Sequence, residues 1–345
     1  MSGAVECLDG GAAVSIQDGG RSGHRDIGVP LAGAADPVLL ACANALLGQP
    51  AAQAGLEVAL LGPSLRAVGA PVQLALAGDF KPRWRRGGGE LMAVDAWRSL
   101  TLQPGDELHI GPCRRGIGYL ALAGGIDVPA VLGSRATYAR AALGGIDGRA
   151  PRAGDLLRAA AAPGVERQAP PFVHAGGPLR VLPGPQDAHF DADAWARFTG
   201  SDYRVTRDAD RMGLRLEGAV LPHAPGAGPD IVSEAVVPGA VQVPGAGQPI
   251  VLGVDAQTIG GYAKIATVIR ADLPRLAHLR PGDVLRFARV SRAEALAARQ
   301  ALAAALRHWA ARIGPPRGGG EPDEAALRAD NLISGMIDAR HLPWD

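Results

Sequence analysis

Up to about residue 290 this chain is written in short apolar or alternating runs, each closed off by glycine or proline. Residues 72–77, 118–123, 179–182, 250–254 and 263–269 are runs of this kind. Runs of that length between turn signals are the strands of sandwiches and barrels. A parallel sheet would need long crossover connections, and few of the intervening stretches have room for a helix. The pattern predicts a mainly β chain with a few helices. At 345 residues it is long for one core and sufficient for two, since single cores stop growing near about 250–300 residues.

Three segments carry the helical period instead. Asp36-Pro37 opens the first, a carboxylate N-cap followed by proline, with Leu39, Leu40, Ala43, Leu46 and Leu47 on one face and Gly48 at its end. Asp191 opens a short one with Trp195 and Phe198 inward. Ser291-Arg-Ala-Glu294 is a capping box that starts the longest, whose apolar face is Leu302, Leu306, Trp309 and Ile313 and whose stop is Gly314-Pro315-Pro316. Residues 161–178 are rich in Ala, Pro and Gly and have no period. They divide the chain into a first domain over 1–160, a linker over 161–177, a second domain over 178–290, and a C-terminal helix and tail over 291–345. Within that tail, Leu327, Leu332, Ile333, Met336 and Ile337 predict one docking helix. Leu102-Gln-Pro-Gly-Asp-Glu-Leu108 recurs as Leu279-Arg-Pro-Gly-Asp-Val-Leu285, an echo that a repeated unit or a common turn explains equally well.

Several function classes drop out. A net charge of +1 argues against nucleic acid or an acidic membrane as partner. No apolar stretch is long enough for a membrane span, and the N-terminus lacks a secretory leader, so the cytoplasm is expected. Cys7, Cys42 and Cys113 are too scattered for a disulfide framework or a zinc knuckle. The phosphate loop, the dinucleotide fingerprint and the Gly-x-Ser-x-Gly elbow are missing. The histidines show no close pair, so no metal is expected. Neither Lys81 nor Lys264, the chain's two lysines, lies in a biotin-accepting Met-Lys-Met.

Two polar constellations remain. The first runs from Ile16-Gln-Asp-Gly-Gly-Arg21 through Arg25 and Gly28 to Asp36 and Asn44. It reads as a glycine-bent loop in which Asp18, Arg21, Asp36 and Asn44 hold the backbone, with Arg25 available to an anion. The second is denser: Pro183-Gly-Pro-Gln186, Asp210-Arg-Met-Gly213, Ser233-Glu234, Gln242, Gln248 and Asp255-Ala-Gln257, running on to Gly260-Gly-Tyr-Ala-Lys264. A carboxamide donates and accepts at once, which suits a ligand that contains an amide, lactam or ureido group.

These phrases, together with Leu132-Gly-Ser-Arg135 and Thr137, resemble the family of the 5-oxoprolinase C subunit, also described as allophanate hydrolase subunit 2 or biotin-dependent carboxyltransferase-like proteins. The resemblance runs in order over roughly residues 5–290. It implies two tandem cyclophilin-like β-barrels, and partners like the B subunit and, in the oxoprolinase system, the A subunit. Three positions depart from it: Ala32 and Ala136 where serine is expected, and Ala263 where proline is expected.

The activity implied is ATP-dependent opening of 5-oxo-L-proline to L-glutamate, with ATP shared with the partner subunits. On that reading Gln242, Gln248 and Gln257 hold the lactam and Arg211 its carboxylate. Lys264, with Arg25 reaching from the other half, meets developing phosphoryl charge, and Glu234 or Asp255 moves protons. The resemblance also admits carboxyl transfer from carboxybiotin to urea or a related amide, which would make biotin the cofactor. From another class, it admits a regulatory protein that antagonises a histidine-kinase inhibitor. Neighbouring genes would separate the three.

Overall fold

The computed structural model describes residues 3–316, so the expected helix around 327–337 lies outside the described residues. Ten strands between Ala4 and Arg158 form one antiparallel sheet curled into a half-barrel. Its spine is the 14-residue strand Gly55–Val68. The first part of this strand pairs with Ala12–Gln17 and Gly118–Leu122, and the later part with Ala4–Asp9 and Glu107–Pro112. One spine therefore serves four neighbours.

Strand Val72–Ala77 is buried along its whole length because both of its faces are covered. Leu74 and Leu76 enter the core with Leu56, Leu65, Leu100 and Leu120, whereas Ala75 and Ala77 face helix Pro37–Leu46. Successive side chains alternate between faces, and alanine on the outer one lets the helix pack closely. Asp36 caps that helix, its Oδ1 accepting from Val38 N at 2.9 Å and Leu39 N at 3.1 Å.

Eight strands between Leu179 and Arg289 make the second sheet. One terminal strand is Val284–Leu285, paired with Tyr203–Val205; the other is Phe287–Arg289, paired with Leu179–Pro183. Only Arg286 separates those two strands, so one short segment joins both edges and the barrel is nearly closed. Phe198 stacks on Phe287 inside it, with ring centroids 4.4 Å apart. Strands Asp230–Ala235 and Ile259–Tyr262 leave the barrel as a two-stranded ribbon whose residues are mostly exposed. No strand or helix lies between Arg158 and Leu179 except isolated bridges at Ala159 and Gln168. The mainly β architecture expected from the run lengths is the one observed.

Helix Arg292–Ala310 returns to the first half. Trp309 packs edge-on to Trp97 and Phe172, and its Nε1 donates to Pro170 O at 2.7 Å. The capping box at Ser291 is formed with both of its hydrogen bonds. Ser291→Ala is expected to cost about 1 kcal/mol, measured as a lower midpoint of chemical denaturation; no change would mean that the docked C-terminal end alone holds the helix.

Among the described residues no helix is long and apolar enough to cross a membrane. All three cysteines are free and buried. Burial pushes the Cys7 and Cys113 thiols up to about 11, which leaves them unreactive at neutral pH.

Candidate functional site

The ladder between Ala240–Gln242 and Lys264–Val268 sets Gln242 opposite Lys264. Lys264 is 2% exposed, so it is not a surface lysine at a strand end. Its Nζ lies 2.9 Å from Glu234 Oε1 and donates to Tyr262 O at 3.3 Å. Glu234, on the ribbon, also accepts from Gln186 Nε2 at 2.8 Å. Those two donors, Gln186 first and then Lys264, hold the Glu234 carboxyl below the usual carboxylate range. Gln186 is fixed in turn by its Oε1, which accepts from Lys264 N at 3.3 Å. The turn that delivers it needs Gly184, where a Cβ would stand 2.2 Å from Lys264 O.

Beside this group is an open cavity of about 500 Å³, lined by Ser233, Gln242, Gln257 and Gly260–Tyr262 among others. Gln242 is 2% exposed, and its Nε2 has no hydrogen-bond partner. A Cβ at Gly260 would come within 2.5 Å of that nitrogen, so glycine is what lets the carboxamide lie against the ribbon. Arg25 crosses from the first half: Nη2 donates to the carbonyl of Val236, two residues past Glu234, and Nη1 is buried without a partner. Unpaired buried donors are costly, so each of these two N–H groups calls for an acceptor. Gln257 is exposed at the rim.

Arg211 and Asp255 do not join this group, and the roles expected of them need correction. Arg211 Nε and Nη2 donate to the two oxygens of Asp255 at 2.8 and 3.0 Å, Nη1 pairs with Glu57, and Nη2 also donates to Gly33 O at 2.7 Å. With four of its five N–H groups so committed, the fork cannot grip a substrate carboxylate with two parallel bonds, and Asp255, chelated by it, is no free proton carrier. The pair is a joint between the halves. Glu57 Oε2 continues it, accepting from Tyr119 OH at 2.5 Å and from Ala35 N at 2.8 Å. Burial, then Glu57 and Asp36 nearby, raises the Tyr119 pKa, so the phenol stays a donor.

Gln248 also stands apart. Its carboxamide accepts from Gly218 N and donates to Gly218 O, tying a turn, and it does not line the cavity. The loop residues hold backbone: Asp18 accepts from Gly20 N, Ser134 Oγ and Arg135 N. Fully buried Arg21 donates to Val131 O and Ala136 O, and Asn44 donates to Ala51 O and Gln53 O. At position 263 the backbone N–H donates to Pro229 O at 2.9 Å, a bond that proline would lack.

Three side chains that the fold uses carry no role in the reading of the sequence. Gln186 had a signal, the Pro-Gly-Pro-Gln turn. His174 and His278 had none, being 104 residues apart by number; both Nε2 atoms reach Asp36 Oδ2, at 2.6 and 2.7 Å.

Residues 27–289 match the carboxyltransferase domain, subdomain A and B. The 5-oxoprolinase C subunit of Escherichia coli is 36% identical over 306 residues, 86% of this chain and 94% of that protein. This chain belongs to the carboxyltransferase-like family of the 5-oxoprolinase C subunit. The C subunit of Haemophilus influenzae is 34% identical, over 84% of this chain and 93% of its own length. Among solved structures, the urea amidolyase of K. lactis superimposes with a TM-score of 0.80 at 26% identity. That match covers 93% of this chain but only 20% of the amidolyase, so the family fold also occurs as one part of a much longer enzyme.

Proposed function

We propose that this chain is the C subunit of a multi-subunit, ATP-dependent 5-oxoprolinase of the cytoplasm, working with partners like the A and B subunits, and that the cavity beside Lys264 holds the lactam. The observation that carries the reading is Gln242: a buried carboxamide on the cavity wall with an unused N–H, next to a buried ammonium. A lactam carbonyl is the acceptor such a donor lacks. Gln257 at the rim meets the ring N–H. Arg25, with its free Nη1, takes the substrate carboxylate in place of Arg211. The Lys264–Glu234 pair sits where charge changes as the ring opens, the ammonium stabilising a developing oxyanion and the carboxylate handing protons on.

ATP does not fit this cavity. No lysine or arginine lines it, the neighbouring Lys264 is already paired with Glu234, Asp230 puts a carboxylate on the wall, and a triphosphate needs several free donors. The nucleotide belongs on the partner subunits. Supporting this assignment, the family relative from Escherichia coli that carries the oxoprolinase name is matched along 94% of its length.

Gln242→Leu should raise KM for 5-oxoproline about tenfold in the assembled enzyme, the cost of one hydrogen bond to an otherwise unpaired partner, with a smaller effect on kcat. An unchanged KM would remove the cavity as the lactam's place. The match to a carboxyltransferase domain favours one second reading, carboxyl transfer from carboxybiotin to urea or a related amide. The ureido ring offers Gln242 the same planar carbonyl. Turnover of urea with carboxybiotin, and none of 5-oxoproline with ATP, would select it.

A further inference from the structure

We propose that Asp36, His174 and His278 form a binding site for a divalent transition-metal ion of the zinc type, at the junction of the two halves and separate from the Lys264 cavity. The three residues come from three segments: the start of the first helix, the segment between the sheets, and the turn after the short helix Leu273–Leu276. One oxygen of Asp36 and one Nε2 of each histidine lie within 4.8 Å of one another. Two imidazoles and a carboxylate are a ligand set suited to zinc, iron(II) or cobalt(II).

Asp36 explains why the set calls for a cation. Its side chain is fully buried, Oδ1 is used by two helix N–H groups, and its ion-pair partners among the described residues are the two histidines alone. No guanidinium or ammonium of the described residues reaches it. A buried carboxylate needs compensating positive charge. Without metal, both imidazoles must direct an Nε2 proton at the same oxygen; with metal, each ring would carry its one proton on Nδ1, any second proton going to solvent, and one ion would bond all three groups.

The geometry permits this with a small adjustment. Ligands bonded at about 2.0–2.2 Å in a tetrahedral site stand roughly 3.3 Å apart, so each imidazole would retreat from Asp36 by roughly 0.6 Å. Both histidines sit outside regular elements, with side chains 13% and 27% exposed, so each ring is partly open to solvent and is not locked in a helix or strand. Phe172 supports the His174 ring edge-on at 5.4 Å. Gly116 makes room for the His278 ring, because a Cβ there would fall 1.9 Å from Nδ1. Two features oppose the ion. Ile117 N faces His278 Nδ1, but at 3.4 Å that contact is at the limit of hydrogen bonding and yields as the ring moves. The positive helix end is already capped by Asp36 itself.

The full-length protein, stripped with chelator, should bind one equivalent of Zn²⁺ by calorimetry. Bound Co²⁺ should give the intense visible absorption of a four-coordinate site. His174→Ala and His278→Ala should each weaken binding by about a hundredfold or more. Co²⁺ spectra of the wild-type protein decide the matter even where a histidine variant fails to fold. Absence of stoichiometric binding, or an unchanged affinity in folded His174→Ala and His278→Ala proteins, would overturn the site and leave a metal-free hydrogen-bonded joint.

Discussion

Lys264→Met is expected to lower kcat of the assembled enzyme by roughly 10²-fold or more, the scale of losing one charge contact in the transition state. The position of the lysine makes the test clean. Nζ is buried, but the Glu234 it leaves behind is on a ribbon with a side chain 43% exposed, where water replaces the lost partner. Methionine preserves the length and apolar stem that cross the barrel wall, so folding and complex formation should survive. Lys81→Met, on an exposed loop, is the control and should match wild type. Equal and negligible effects at both positions would make Lys264 a structural residue and remove the second barrel as the place of chemistry.

Arg211→Met has the opposite signature, a loss of stability of about 3–5 kcal/mol, typical of breaking a buried ion pair by removing one partner. Glu57 and Asp255, with side chains 5% and 11% exposed, would both be left without their counter-charge. Denaturant unfolding should show the loss, and adding Glu57→Gln and Asp255→Asn to the same chain should recover a large part of it, because the uncompensated charges go. A variant of wild-type stability with a raised KM would instead return Arg211 to the substrate's carboxylate.

How far these sites were legible in the sequence follows from what each depends on. Strands and helix starts depend on local pattern, and Asp36-Pro37, Asp191 and Ser291 with Glu294 all begin helices where their side chains predict. Lys264, Glu234 and Gln242 were recognisable because they fall in one cluster of polar residues near glycine turns, and the strand pairing brings that cluster together. Arg211 belonged to the same cluster by sequence and was misread. Its partner Glu57 comes from the middle of the first sheet, and nothing near either residue announces a pairing across 154 positions. The same limit hid His174 and His278, whose common partner lies 138 and 242 residues away. Gln248 shows the converse: residue type and neighbourhood were right, but two bonds to Gly218 had already used its carboxamide.

The most direct test of membership in an oxoprolinase complex is ATP-dependent conversion of 5-oxoproline to glutamate, assayed for the purified chain by itself, for its A-type and B-type partners without it, and for all three co-expressed. No lysine or arginine lines the cavity and Asp230 puts a carboxylate on its wall, so it offers no seat for a triphosphate; the isolated chain should be inactive, the partners without it should be inactive or nearly so, and the three together should turn over. Robust ATP-dependent turnover by the isolated polypeptide, or full activity of the partners without it, would contradict the assignment.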